Sequence, residues 1–188
     1  MLVTHEDKQL IEECLAAYRA QAEANFASAP ANVRASLIER LGSFMPVRVP
    51  ESVVATVLST LPAPPPPLLV AYATTRSFTA LDFGEYHLPA VAEQEPLRHV
   101  ADLLRVTELW PAGYMQVAST VNGDPVCFDY RRPTADGDYP IVVFNHDWIP
   151  HDAWRARESL MPYAREVAPS FRAFFTTLCF DRERIPCS

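Results

Sequence analysis

Apolar residues recur at helical spacing from the start of the chain. Leu10, Ile11, Cys14, Leu15 and Tyr18 share one face, and Glu12, Glu13, Arg19 and Glu23 turn mostly to the other. Thr4 followed by Asp7 is an acidic variant of a capping arrangement, so the pattern predicts a helix over about 5–27, broken by Pro30. A second helix is expected to start at Ala31 or Asn32, bury Val33, Leu37, Ile38 and Leu41, and stop at Gly42. Together they make an amino-terminal helical hairpin. A third helix begins at Pro50, with Val53, Val54, Val57, Leu58 and Leu61 as its inward stripe.

Pro62 to Pro67, interrupted only by Ala63, continues neither a helix nor a central strand, because proline lacks the amide donor and fixes its own φ. The tract reads as a stiff connector, ahead of a polyproline ligand for an aromatic groove. Leu68 to Tyr72 opens a short helix or a strand, Thr79 to Leu88 a strand or hairpin, and Leu97 to Val106 another helix.

The clearest pattern runs from Tyr114 to Phe144. Tyr114, Val117 and Val121 lead to Asn122-Gly123, a tight-hairpin dipeptide, and a second strand follows over Pro125 to Tyr130. Asp136-Gly137-Asp138 marks another turn, and Ile141-Val142-Val143-Phe144 has the unbroken apolar run of a strand covered on both faces. A three-strand antiparallel meander results. Ala153 to Val167 is permissive for helix, bent or divided at Pro162, and Ser170 caps a last helix burying Phe171, Phe174, Phe175 and Leu178.

Composition narrows the partners. A chain of 188 residues with 49% hydrophobic residues encloses one sizeable core, so two full domains are not expected. The net charge of -7 argues against nucleic acid, which needs clustered Lys and Arg. Charges near the amino terminus stand where a signal peptide needs its apolar stretch, and no stretch is long enough to span a bilayer, so neither secretion nor membrane insertion is expected. Cys14, Cys127, Cys179 and Cys187 show no Cys-x-x-Cys spacing; a reducing cytoplasm is the expected setting, with Cys14 and Cys127 as small buried hydrophobes and no thiol chemistry.

Three passages carry a resemblance. Val117 to Asp129 holds a strand, an Asn-Gly-Asp turn and a strand ending in Asp; Asp136 to Asp147 ends in a His-acidic pair; and Ala168 to Phe175 follows as a closing helix. In this order they resemble the SUKH superfamily of fungal Smi/Knr cell-wall regulators and bacterial immunity proteins. The Asn-Gly-Gly segment usual in the earlier half of that family is replaced here by the proline tract. The resemblance implies an α+β fold with a single mixed, largely antiparallel sheet flanked by helices. Residues 1–45 then form a helical hairpin extension to a SUKH-like domain over 46–188. It also implies no cofactor, no catalytic residues, and recognition of another protein such as a cognate toxin.

Two site readings compete. Asp124, Asp129, Asp136, Asp138, Asp147 and Asp152 fall on turns and strand ends of the meander, against only Arg131 and Arg132 nearby, and could form a negative rim for a basic toxin domain. Turns favour Asp for local hydrogen bonding, which accounts for most of them without a partner. Trp148, with Trp110 and Trp154, is a candidate anchor at such a surface, or packing. The alternative is a metal-assisted hydrolase using His146, Asp147, His151 and Asp152, with Asp152 otherwise capping the following helix. A third ligand group with recognisable spacing is missing from the sequence, as are a phosphate loop, a Gly-x-Ser-x-Gly elbow and a His-Glu-x-x-His helix. A non-catalytic protein-binding domain without metal is therefore preferred, with a regulatory scaffold as a further alternative.

Overall fold

The computed structural model describes residues 3–41, 45–46, 59–77, 81–88, 102, 104 and 106–181. The helices expected from Pro50 and from Leu97 fall largely outside them.

The meander forms where the apolar alternation is strongest. Strands β5 (Tyr114–Thr120), β6 (Pro125–Asp129) and β7 (Ile141–Phe144) pair antiparallel in sequence order. Two more strands, β3 (Leu81–Asp82) and β4 (Tyr86–Leu88), form a hairpin that extends one edge, and β8 (Ala164–Ala168) extends the other. Every described pairing in this six-stranded sheet is antiparallel, so the expected α+β class holds without a parallel pair to make the sheet mixed. Strands β1 (Met45–Pro46) and β2 (Arg76–Ser77) form a separate short ladder.

The β5–β6 connection differs from the tight two-residue turn implied by Asn122-Gly123. Among the described residues no non-glycine has positive φ, and Gly123 alone takes φ +87° in this loop. Gly123 N–H donates to Thr120 O and Thr120 N–H to Asp124 O, giving a three-residue loop closed by a glycine in the left-handed region. A second irregularity lies between Gln116 and Ala118, where the register slips and Val117 and Ala118 both turn to the main core.

That core covers one face of the sheet. Helices α1 (His5–Asn25), α3 (Pro67–Thr75) and α5 (Phe171–Phe180) bring Ile11, Leu68, Tyr72, Phe174 and Phe175 onto Met115, Val126, Phe128 and Ile141. Edge-on ring pairs, Tyr86 with Phe174 at 5.3 Å and Phe128 with Phe171 at 5.4 Å, interlock strands with α5. Ser170 caps α5 as expected, its Oγ accepting from Ala173 N–H. Thr4 and Asp7 form the expected reciprocal cap of α1.

The proline tract is tied down as a connector: Pro65 and Pro66 are buried, Tyr139 Oη donates to Pro64 O at 2.9 Å, and Pro67 opens α3. The ambiguity over Leu68 to Tyr72 resolves as helix, buried on most sides.

Several expectations are corrected. Helix α1 is no peripheral extension, because Ile11, Cys14 and Leu15 belong to the main core and Asp7 pairs with Arg172 of α5. The expected boundary at residue 45 therefore does not separate it from the domain. Cys14 is bonded to Cys179 of α5 as a disulfide, with a Cα–Cα distance of 5.2 Å, so it is more than a buried hydrophobe. Disulfides persist in oxidising surroundings, at odds with the reducing cytoplasm expected from spacing alone. Helix α2 (Ala31–Leu41) forms, but Val33, expected in its buried stripe, is 43% exposed and joins neither core, while the side chains of Leu37, Ile38 and Leu41 lie outside those described. The permissive helix over 153–167 gives only short turns and α4 (Arg157–Leu160), after which Ala164–Ala168 pairs with β7: sheet hydrogen bonding overrides local helix preference. No described helix is long and apolar enough to cross a membrane.

Candidate functional site

The other face of the sheet is covered unevenly. Tyr114, Cys127, Val142 and Phe144 point to it and pack beneath Leu109, Ile149, Ala153 and Leu160, which come from short irregular segments and not from long helices. Burial pushes the Cys127 thiol far up, so it stays protonated and inert.

Asp129 ends β6 at one margin of this face. Arg157 from α4 grips its carboxylate with two nitrogens at 2.9 and 2.8 Å, and Arg132 Nε adds a third contact at 2.8 Å. Burial alone would oppose ionisation, but these guanidinium bonds outweigh it and hold the carboxyl below its ordinary range. Arg157 also lies 5.0 Å over the Tyr114 ring, and Arg132 reaches on to Glu166. Gly113, at φ +88°, fits beneath Arg131 and Arg157, which a Cβ there would meet.

The opposite margin is built around Asp124. Its buried carboxylate accepts from Thr120 Oγ1 at 3.2 Å, from His146 N–H at 2.9 Å and from His146 Nδ1 at 2.7 Å. A carboxylate only accepts, so Nδ1 carries a proton. This joins the β5–β6 loop to the 3₁₀ turn His146–Trp148, whose amino end is capped by Asn145 Oδ1 accepting from Asp147 N–H. The two joined segments carry exposed apolar side chains, Val121 at 62% and Trp148 at 73%. The Asp147 carboxylate beside Trp148 is 79% exposed.

The seven sequence-predicted positions thus divide. Asp124, Asp129 and Asp138 are buried; Asp138 accepts from Tyr139, Phe171 and Arg172 N–H and anchors the start of α5. These three hold the fold together from within and offer no rim. Asp136, exposed, is held below its ordinary range by a hydrogen bond from Thr134 Oγ1 and lies on the turn before β7. Asp147, Trp148 and Asp152 remain exposed on one continuous segment after β7. Asp152 precedes the turn Ala153–Arg155 but makes no side-chain cap, contrary to expectation. Trp110 is packing: its Nε1 donates to Leu104 O, and its carbonyl accepts from Tyr130 Oη.

Between the 146–154 segment, the turn Thr107–Leu109 and the sheet lies an open cleft of about 530 Å³. Glu108, Leu109, Gln116, Pro125, His151 and Trp154 line it. Trp154 also packs on Phe144 at 6.3 Å, and Gln116 Nε2 donates to Ala118 O across the strand irregularity, leaving the amide oxygen as an acceptor. Sequence reasoning did not single out Glu108 or Gln116; the only trace was a polar residue inside the apolar pattern Tyr-Met-Gln-Val-Ala.

The hydrolase grouping does not converge. His146 is held by Asp124 and lies 3.3 Å from Asp147, whereas His151 faces the cleft. Among the described residues no group of three or more His, Cys, Asp or Glu is arranged to hold a metal ion. Comparison of the chain with protein-family models, with curated proteins and with solved structures finds no match.

Proposed function

We propose that the chain is a non-catalytic protein-binding domain of the immunity type, and that it occludes a basic partner, a toxin domain by the SUKH resemblance, with the surface around Trp148. The single observation that carries the reading is that exposed indole on a segment fixed from below. Trp148 sits in a turn pinned by the Asp124–His146 bonds, so it is displayed at little ordering cost. Asp147 and Asp152 flank it and supply charge of the sign that steers a cationic surface. The antiparallel β5–β7 order and closing α5 agree with what the SUKH resemblance implies and support carrying it forward.

The test is calorimetric titration of the purified chain with the protein encoded by the neighbouring gene. Trp148→Ala is expected to weaken binding about 30-fold or more, as loss of a hot-spot tryptophan does. Asp147→Lys with Asp152→Lys should slow association, most strongly at low salt. Wild-type affinity in Trp148→Ala would reject this surface. Stoichiometric zinc or manganese in purified protein, lost in His146→Ala, would reject the non-catalytic reading in favour of the hydrolase.

A further inference from the structure

The cleft beside Trp148 has the chemistry of a side-chain socket. We propose that it receives an arginine of the partner protein, with Glu108 as the ionic acceptor, the Gln116 amide oxygen as a second acceptor and the Trp154 ring as the stacking surface. This inference rests on the protein-binding reading and specifies what that surface selects.

Three features support an arginine. First, the cleft's volume of about 530 Å³ suits a side chain entering from outside. Second, its polar groups are the complement of a guanidinium. Glu108 is exposed and has no ion pair or hydrogen bond among the described residues, and no lysine or arginine lines the cleft among them. A planar guanidinium reaches a carboxylate with paired donors, reaches a further acceptor, and stacks on indole; an ammonium lacks the plane. Third, the cleft continues the surface already described. His151 stands three residues after Trp148, so their Cα atoms lie within about 11 Å, and one partner segment spans both.

The socket is tested without the partner, using ¹⁵N-labelled chain titrated with Nα-acetyl-arginine amide, Nα-acetyl-lysine amide and the uncharged isostere Nα-acetyl-citrulline amide. Saturable shifts are expected at the Trp154 indole N–H and the Gln116 side-chain amide with the arginine compound. The citrulline compound should bind at least about tenfold more weakly, and lysine should fall between them. Glu108→Gln should reduce arginine binding about tenfold, while Val33→Ala on α2, away from the cleft, leaves it unchanged. No shifts, equal binding of arginine and citrulline, or indifference to Glu108→Gln would overturn the socket.

The partner separates this failure from failure of the binding surface. Loss of partner affinity in both Glu108→Gln and Trp148→Ala supports the socket. Loss in Trp148→Ala alone sinks the socket and spares the surface, and loss in neither sinks both.

Discussion

The two faces of the central sheet solve different problems with different materials. One is roofed by α1, α3 and α5 and filled with interlocked aromatics, with a disulfide and the Asp7–Arg172 pair clamping the first helix to the last. The other is roofed by short turns fixed through individual polar contacts, Asp129 with Arg157 at one margin and Asp124 with His146 at the other. Dense apolar packing closes the helical face against the sheet. Polar pinning of short segments leaves a cleft and a displayed tryptophan, so the division places the densest packing on the helical face and the surface proposed for recognition on the turn face.

That contrast can be broken first on the helical face. Reducing Cys14–Cys179 releases a closure spanning 165 positions, worth up to about 5 kcal/mol on chain entropy. The thermal midpoint should fall by roughly 10–20 °C under reductant. An unchanged midpoint would remove the clamp from the account. Phe174→Ala deletes a fully buried ring packed on Tyr86 and should cost about 4 kcal/mol in urea unfolding.

The turn face should respond less to mutation and more to acid. Asp129→Asn leaves Arg157 without its ionic partner and should cost about 3 kcal/mol; Arg132, half exposed, contributes little of this because water screens it. The folded-state value of Asp129 lies below the unfolded one, so its contribution is complete above roughly pH 4. It is lost as pH falls through the lower folded value. Stability of the wild type should therefore decline below that point more steeply than that of Asp129→Asn, and parallel profiles would contradict the pairing. Gly113→Ala, which places a Cβ at positive φ and against Arg131, should cost about 1–2 kcal/mol. Smallest of all, Trp148→Ala should change stability by less than about 0.5 kcal/mol.

What was legible in the chain was local. The Thr4–Asp7 cap, the Ser170 cap, the unbroken run of β7 and the proline connector each depend on neighbours within a few residues, and each is present. The misreadings share the opposite property. Ala164–Ala168 has helical composition, and only the unpaired edge of β7 makes it a strand. Asp129 looked like a surface turn residue because Arg157 lies 28 positions away, and Asp138 because the amides it accepts from begin 33 positions away. Cys14 had no spacing partner because Cys179 is at the other end of the chain. On the site, the display of Trp148 with Asp147 and Asp152 follows from one contiguous segment and could be read, whereas the cleft needs Glu108, Gln116 and Trp154 brought together from two separate turns and a strand.

The central claim, that recognition belongs to the turn face, is met most directly by hydrogen exchange of the chain with and without the neighbouring gene's product. The account predicts new protection confined to 106–110, 121–124 and 145–156, with α1 and α5 unchanged. Protection centred on the exposed side of α2 or on α1, with the 145–156 segment untouched, would contradict it.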